Sequence, residues 1–403
     1  MQPQQNFDNS AVPVICAVAF HGASEEWINV SCRLLLDRLQ AFEANAGQTE
    51  VSEFIYFLSG GSEQNAIARL RHGTLNLLVA DAGNNAWAAA TEVKAYASLH
   101  GFKAVLIPAW EDHFLPELSE WMKVKSALDR LSGQRAGLIG QVSDWLVAST
   151  PEASLLRQRF GIELVELPFE NEPPFLGLGA DPQFEQVFSE NTIQKTELAS
   201  VSTFLKGCLT RHHLDALSLQ CFRMVKETGV TACLPVALMN YNGIPAGCEG
   251  DLVSLAGMML LRELTGLVPW MANMVKVEHN SILLAHCTAP LQYARQHTIL
   301  SHYETDLSAA LQAEMDFETI TLFRMNERLD KAFVAVGRVE SRPKHAHACR
   351  TQIEVRLDEE DAGRLRSEPL GNHHLVLPGD FAKLLSKALQ AKGIKHRQNH
   401  FSK

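Results

Sequence analysis

Glu249 stands in the segment Gly247-Cys248-Glu249-Gly250-Asp251 and is the only acid in the run from Leu234 to Gly250. A carboxylate placed there is a general base, a ligand for a hard or borderline cation, or a buried acid satisfied by turn N–H groups. Three other side chains carry comparable chemistry. His286 ends the apolar run Ser281 to His286, and His373 and His374 follow Gly371-Asn372. Asn273 lies between apolar residues in Trp270-Met271-Ala272-Asn273-Met274-Val275, where a polar side chain needs a partner. Carboxylate and imidazole are acid–base and cation-ligating groups, whereas Asn273 offers a neutral carbonyl oxygen and no proton-accepting carboxylate.

The elements that must position these groups follow from the pattern around them. Ala232 to Met239 is an apolar segment of strand length, and Asn240 to Pro245 has the Asn-Gly and Pro content of a turn. Periodicity from Leu252 through Leu264 predicts a helix with Asp251 as its N-cap and Gly266 just beyond its end. Glu249 is thereby placed at a strand-to-helix junction, where open α/β sheets hold ligands. Val268 to Val277 and Ser281 to His286 read as strands. Alternation sets Met271, Asn273 and Val275 on one face of the first, and Ile282, Leu284 and His286 on one face of the second.

The rest of the chain divides by pattern into three parts, residues 1–132, 133–267 and 268–403. In the first, strand-length runs at Val12 to Ala19, Phe54 to Leu58, Leu77 to Asp81 and Lys103 to Pro108 alternate with helical stretches around 27–42, 63–71 and 86–100, the signature of a parallel sheet. The turns Ser59-Gly60-Gly61-Ser62-Glu63 and Asp81-Ala82-Gly83-Asn84-Asn85 follow two of those strands. They are either plain tight turns or backbone cradles for a carbohydrate or phosphate. The second part has strand patterns at Arg135 to Gly140, Ile162 to Leu167 and Asp215 to Phe222, a helix over 192–212 and a Pro- and Gly-rich connection from Glu170 to Asp181. The third has short alternating runs at Thr319 to Phe323, Lys331 to Arg338 and Cys349 to Leu357, the pattern of an antiparallel barrel or sandwich, with a last helix over 380–391. His345 and His347 are spaced to share a strand face or to sit together on an exposed loop.

Composition narrows the class. The 403 residues are 46% hydrophobic, enough for two or three cores, and the net charge of −10 without a basic stripe argues against nucleic acid as a partner. The polar start lacks the layout of a signal peptide, and no apolar run reaches membrane-spanning length, so a cytoplasmic protein with no membrane partner is expected. Eight scattered cysteines without a CxxC pair read as thiols.

CEGD, a hydrophobic helix, PWMAN and NSILLAHC, with GLIGQVSDWLVAS before them and GNHHLVLPGD near the end, resemble the L-fucose and L-arabinose isomerase family over nearly the whole chain. The resemblance implies an α/β fold, with two Rossmann-like parallel-sheet lobes followed by a C-terminal antiparallel β-rich, barrel-like domain. It also implies a metal-dependent aldose–ketose isomerase that moves a proton between C1 and C2 of an open-chain sugar, with Mn²⁺ as the expected ion. Carried over residue by residue, Glu249, Asn273 and His373 are the metal ligands, with His374 as the alternative to the last. Glu249 and Asn273 are also the catalytic positions. His286, Ser62, Glu63, Asn85, Trp145 and Arg350 are substrate contacts, His286 having metal binding or a hydrogen-bonded core place, and Trp145 a lobe-packing role, as their other readings. Asn273 departs from the family, which carries Asp or Glu there. That leaves one more positive charge on a bound ion, so either the ion is held more weakly or an acidic sugar supplies the missing anion. A sugar-binding relative without turnover, and an unrelated sugar-active enzyme on the same fold, are the other functions compatible with the change. A homo-oligomer, trimer or hexamer, is the expected assembly.

Overall fold

The computed structural model describes residues 13–46, 52–189 and 193–397. The chain separates into two compact units, one through Asp129 and one from Arg130 onward. The first unit contains β1 (Val14–Val18), α1 (Glu25–Ala46), β2 (Glu53–Phe57), α2 (Glu63–Ile67), β3 (Leu75–Ala80), α3 (Ala86–Leu99), β4 (Lys103–Pro108) and most of α4 (Phe114–Leu131). Its four strands pair in parallel in the order β1-β2-β3-β4. Every residue of β3 is buried, as a parallel strand covered on both faces requires. Ile55, Phe57, Leu78 and Ala80 meet Ala86, Ala89, Ala90 and Val93 of α3 in one core. Small alanines on that helix face let it lie close to the sheet.

The second unit opens with another parallel sheet, ordered β6-β5-β7-β8. Its elements are β5 (Arg135–Ile139), α5 (Ala153–Phe160), β6 (Glu163–Leu167), α6 (Pro182–Val187), α7 (Lys195–His212), β7 (Ala216–Leu219), α8 (Cys221–Thr228), α9 (Cys233–Tyr241), β8 (Ala246–Cys248) and α10 (Leu252–Thr265). Two strand expectations are corrected here. Ala232 to Met239 is helix α9, buried from Cys233 through Asn240. A run that is apolar all round carries no period to separate helix from strand, and Pro235 falls in the first turn, where its missing N–H costs nothing. The strand expected over Asp215 to Phe222 stops at Leu219, and Cys221 already belongs to α8. Of the expected span Val12 to Ala19, Val12 lies outside the described residues, as does Thr192 at the start of the expected helix.

The remainder is β9 (Trp270–Glu278), β10 (Ser281–His286), β11 (Ala294–Leu300), β12 (Ala310–Met315), β13 (Thr319–Met325), β14 (Ala332–Ser341), β15 (Thr351–Arg356), α11 (Glu359–Ser367), β16 (His373–Pro378) and α12 (Ala382–Lys392). Six of these strands close an antiparallel barrel in the order β10-β15-β14-β13-β16-β9, and β11 pairs with β12 beside it. Alternate residues from each barrel strand fill one core, among them Trp270, Ala272, Ile282, Leu284, Ile320, Leu322, Phe333, Ile353, Val355 and Val376. This parity sets Met271, Asn273 and Val275 on the opposite face of β9, as alternation predicts. Closure leaves these six strands no free edge. The fold is therefore α/β, with two parallel-sheet lobes and a C-terminal antiparallel closed barrel. Among the described residues no helix is long and apolar enough to cross a membrane, and all eight cysteines are free thiols.

Helix α10 joins the second sheet to the barrel. Asp251 caps its N-terminus by accepting from the Ser254 N–H at 2.7 Å, and Gly266 ends it in the left-handed region, both as the sequence predicts. A Cβ on Gly257 would stand 2.6 Å from Leu375 Cδ1 and 3.2 Å from Phe323 Cε1, so glycine is what lets the helix backbone reach β13 and β16.

Candidate metal centre

Glu249 follows β8 with φ of +63°, and Gly250 continues at +72°. A Cβ on Gly250 would lie 2.6 Å from Gln141 O and 2.8 Å from Val142 Cα, so the turn is tied to the segment after β5 and tolerates no side chain there. Ser143 N–H donates to Glu249 O at 2.9 Å and closes the same contact. A glutamate in the left-handed region is strained, and surrounding structure holds it there, which is characteristic of functional positions.

The carboxylate is 8% exposed and points both outward and inward. Trp145 Nε1–H donates to Oε2 at 2.6 Å, its own ring 53% exposed and edge-on to Phe222. Oε1 faces His373 Nε2 at 3.5 Å. His286 completes the group. Glu249, His286 and His373 offer ligand atoms that all lie within 4.8 Å of one another, the span of one ion's coordination shell.

Behind His373 the structure is rigid. Its Nδ1 contacts Asp251 Oδ2 at 2.9 Å, and the same oxygen meets Arg324 Nη1 at 3.0 Å. Asp251 and Arg324 are 0% and 1% exposed. Arg324 also donates to Ser254 Oγ at 2.9 Å and Ser149 Oγ at 2.6 Å. Its barrel strand is thereby locked to the turn that carries Glu249. Of the adjacent imidazoles, His373 is the one that reaches Glu249. His374 turns to the other face of β16, donates Nδ1–H to Asn372 O at 3.0 Å and lies edge-on to Phe333.

Electrostatics sort the three groups. Burial pushes Glu249 up, but His373, His286 and the Trp145 hydrogen bond overcome it and hold the carboxyl at about 2. Burial lowers His373, yet the carboxylates of Asp251 and Glu249 outweigh it and bring the imidazole to about 9. Burial, with His373 alongside, lowers His286 to about 4, so that ring is neutral at physiological pH. Asp251 lies well below the usual carboxylate range, since Arg324 and His373 offset its burial.

His373 Nε2 is buried with no hydrogen-bond partner, while its Nδ1 is oriented by a carboxylate. Once Nε2 gives up the proton that faces Glu249, the arrangement is that of a metal-ligating histidine, a lone pair directed at the carboxylate side and the opposite nitrogen fixed from behind. The residues present thus fit a divalent cation at Glu249 and His373. His286 is of a different kind. Thr288 N–H donates to its Nδ1 at 3.3 Å, so the neutral ring bears its proton on Nε2, the tautomer of a hydrogen-bond donor.

Glu249 opens onto a cleft of about 490 Å³ lined also by Trp145, Phe222, Asn273, Tyr303, Glu304, His347 and Asn372, a size that suits a monosaccharide. Asn273 shares this cleft, with its Oδ1 accepting from Asn372 Nδ2 and its Nδ2 3.8 Å from Cys349 Sγ. Arg350 lies elsewhere, donating to Ser301 O at 2.8 Å and to Ser301 Oγ at 3.1 Å, and it lines a separate small pocket. His345 and His347 sit on the loop between β14 and β15 and are exposed. Ser62, Glu63 and Asn85 belong to the first unit. Ser62 Oγ donates to Ser59 O at 2.8 Å, Glu63 opens α2, and Asn85 has φ of +58°. Gly60 N–H donates to Asn84 O at 2.7 Å, so the two predicted turns are bound to each other.

Asp251 beyond its cap, and Arg324 altogether, escape sequence reasoning. The available signal is Arg324 within the apolar strand Thr319 to Met325, because an arginine buried in a barrel wall requires a carboxylate partner.

No family model matches the chain. It is similar to the sulfoquinovose isomerases of Priestia aryabhattai and Priestia megaterium, 24% identical over 182 residues in each case. The match covers 42% of this chain and about two-fifths of the length of those relatives.

Proposed function

We propose that the protein is a metal-dependent aldose–ketose isomerase that moves a proton between C1 and C2 of an open-chain sugar. The observation that carries the reading is the buried, unpartnered His373 Nε2 facing the Glu249 carboxylate under a cleft of sugar size. The likeness to the sulfoquinovose isomerases supports the same reaction class, and the sulfo prefix of that name denotes an anionic sugar. An acidic derivative and a neutral fucose- or arabinose-like aldose are the two substrate classes the cleft would take, the first fitting the charge that Asn273 leaves unfilled.

Glu249 and His373 would hold the ion, Mn²⁺ by ligand type. When bound, the ion supplies Lewis-acid stabilisation to the enediolate charge. Glu249 is ionised throughout the physiological range and would act as the base towards the sugar carbon. Trp145 fixes its Oε2 and so sets the direction from which it acts. Asp251 and Arg324 hold His373 at one angle. His286, neutral with its proton on Nε2, would serve as a hydrogen-bond donor to a sugar oxygen. The eight free thiols fit a reducing compartment such as the cytoplasm, and a trimer or hexamer is the assembly we propose.

The test joins elemental analysis of the purified chain to a panel of neutral and acidic aldoses in deuterated water, read as deuterium gained at the carbon beside the carbonyl. We expect one manganese-class ion at this centre and exchange on at least one sugar. Glu249→Gln keeps the shape and abolishes exchange with little change in Tm; a fully active variant ends the isomerase reading. Asn273 favours one second reading, a sugar-binding relative without turnover, for which binding without deuterium exchange is the expected result.

A further inference from the structure

A second group of metal-competent side chains lies on the wall of the same cleft and has no part in the chemistry above. Cys287, His302 and Glu304 offer ligand atoms within 4.8 Å of one another. Glu304 Oε2 is 3.2 Å from His302 Nε2 and 3.9 Å from Cys287 Sγ, and Glu304 Oε1 is 3.3 Å from Cys349 Sγ. Four donors around a tetrahedral zinc ion stand about 3.3–3.8 Å apart, given bonds of about 2.0 Å to nitrogen or oxygen and about 2.3 Å to sulfur. The observed separations centre on that range. His302 is buried, and its Nδ1 is fixed by Thr305 Oγ1 at 3.0 Å, leaving Nε2 to face the group. Both thiols are buried and free.

We propose that Cys287, His302 and Glu304 form a second metal site, with Cys349 beside it, selective for a thiophilic ion of the zinc class. The donor set differs in kind from the first centre: the Cys287 sulfur draws a borderline-soft ion, whereas Glu249 and His373 suit a harder one. The elements joined indicate the role. Cys287 directly follows β10, Cys349 precedes β15, and His302 and Glu304 lie in the turn between β11 and β12. That turn carries Tyr303, which lines the cleft, and it includes Asp306 and Ser308 in the left-handed region. An ion held by Cys287, His302 and Glu304 pins the turn to the barrel end and fixes the Tyr303 side of the cleft, a structural clip with no step in the reaction.

Cobalt substitution of the full chain under a non-thiol reductant tests this independently of any isomerase activity. Co²⁺ bound by thiolate absorbs in the near ultraviolet through sulfur-to-cobalt charge transfer, which a Glu–His centre does not give. We expect two cobalt ions per chain, one of them with that band. Cys287→Ser and Glu304→Gln should each remove the band and weaken zinc binding about tenfold or more, while Glu249→Gln keeps it. Glu304 is exposed, so its variant should fold even if Cys287→Ser does not, with circular dichroism confirming the fold. Absence of the band overturns the proposal. So does a band that survives in Glu304→Gln and Cys287→Ser, or a thiol titration that finds Cys287 and Cys349 joined to each other under the reductant.

Discussion

Asp251→Asn separates the orientation of His373 from everything else the turn does. The side chain keeps its volume, and its oxygen can still accept the Ser254 N–H that starts α10, so the cap survives. What goes is the negative charge between Arg324 and His373, at 3.0 and 2.9 Å in a site without solvent. Removing one partner of a buried ion pair costs about 3–5 kcal/mol. Arg324 retains the two serine hydroxyls at 2.9 and 2.6 Å, which puts the loss near the lower end, about 3 kcal/mol. Loss of a carboxylate behind a ligating histidine weakens metal binding about 10–100-fold. Without Asp251 the imidazole also holds its competing proton less tightly, which trims the effect, so we expect about tenfold weaker binding near neutral pH. Denaturant unfolding reads the first quantity and Mn²⁺ titration of the folded variant the second. Arg324→Met is the control: it should destabilise comparably and leave metal affinity within about threefold, since Asp251 still faces His373. If the folded Asp251→Asn protein binds Mn²⁺ like the parent, or if Arg324→Met loses as much affinity, Asp251 does not act by orienting His373.

Three further outcomes follow from the same geometry. His286→Gln should leave Mn²⁺ affinity within about threefold while lowering kcat/KM about tenfold or more, because a donor and not a ligand is removed; a matching fall in affinity would make His286 a ligand. Asn273→Asp should tighten Mn²⁺ binding and raise exchange on a neutral aldose but lower it on an acidic one, and no change in any of these would put Asn273 outside the working site. With no metal bound, His373 titrates near 9 and carries a proton at pH 7, which an incoming ion must displace. Affinity should therefore rise about tenfold per pH unit up to that value and level off above it, with close to one proton released per ion in calorimetry across buffers of different ionisation enthalpy. A pH-independent affinity between 6 and 8 would contradict the assignment.

The fold was legible where period or punctuation carried information. Asp251 and Gly266 bracket α10 as expected, and alternation in β9 and β10 predicts which residues share a face, though not which face enters the barrel core. It failed where burial is complete on all sides, as in α9, whose apolar run fits either element. The site divides the same way. Glu249 is conspicuous as the one acid in an apolar run, whereas His373, with His374 as its alternative, comes only from the resemblance of the Gly371-Asn372-His373-His374 segment. The Asp251–Arg324–His373 relay could not be found, because each member has a sufficient local explanation as a cap, a strand residue or a ligand, and only the closed barrel brings them within 3.0 Å. Asn273 shares the face of Met271 and Val275 as alternation predicts, and its amide is shared with Asn372 and Cys349, a contact no spacing announces.

His373 is the first residue of β16, the strand that sits between β13 and β9 and completes the barrel ring. It meets Asp251 across 122 residues of sequence. During synthesis, a chain that has already made both parallel sheets and five barrel strands still lacks the imidazole on which the centre depends. Such long-range pairings form late and slowly compared with local ones. The cation site therefore matures with the final strand. A nascent or truncated chain ending before β16 presents Glu249 without His373 and an Asp251–Arg324 pair without its roof, so loading with metal reports that the barrel has closed.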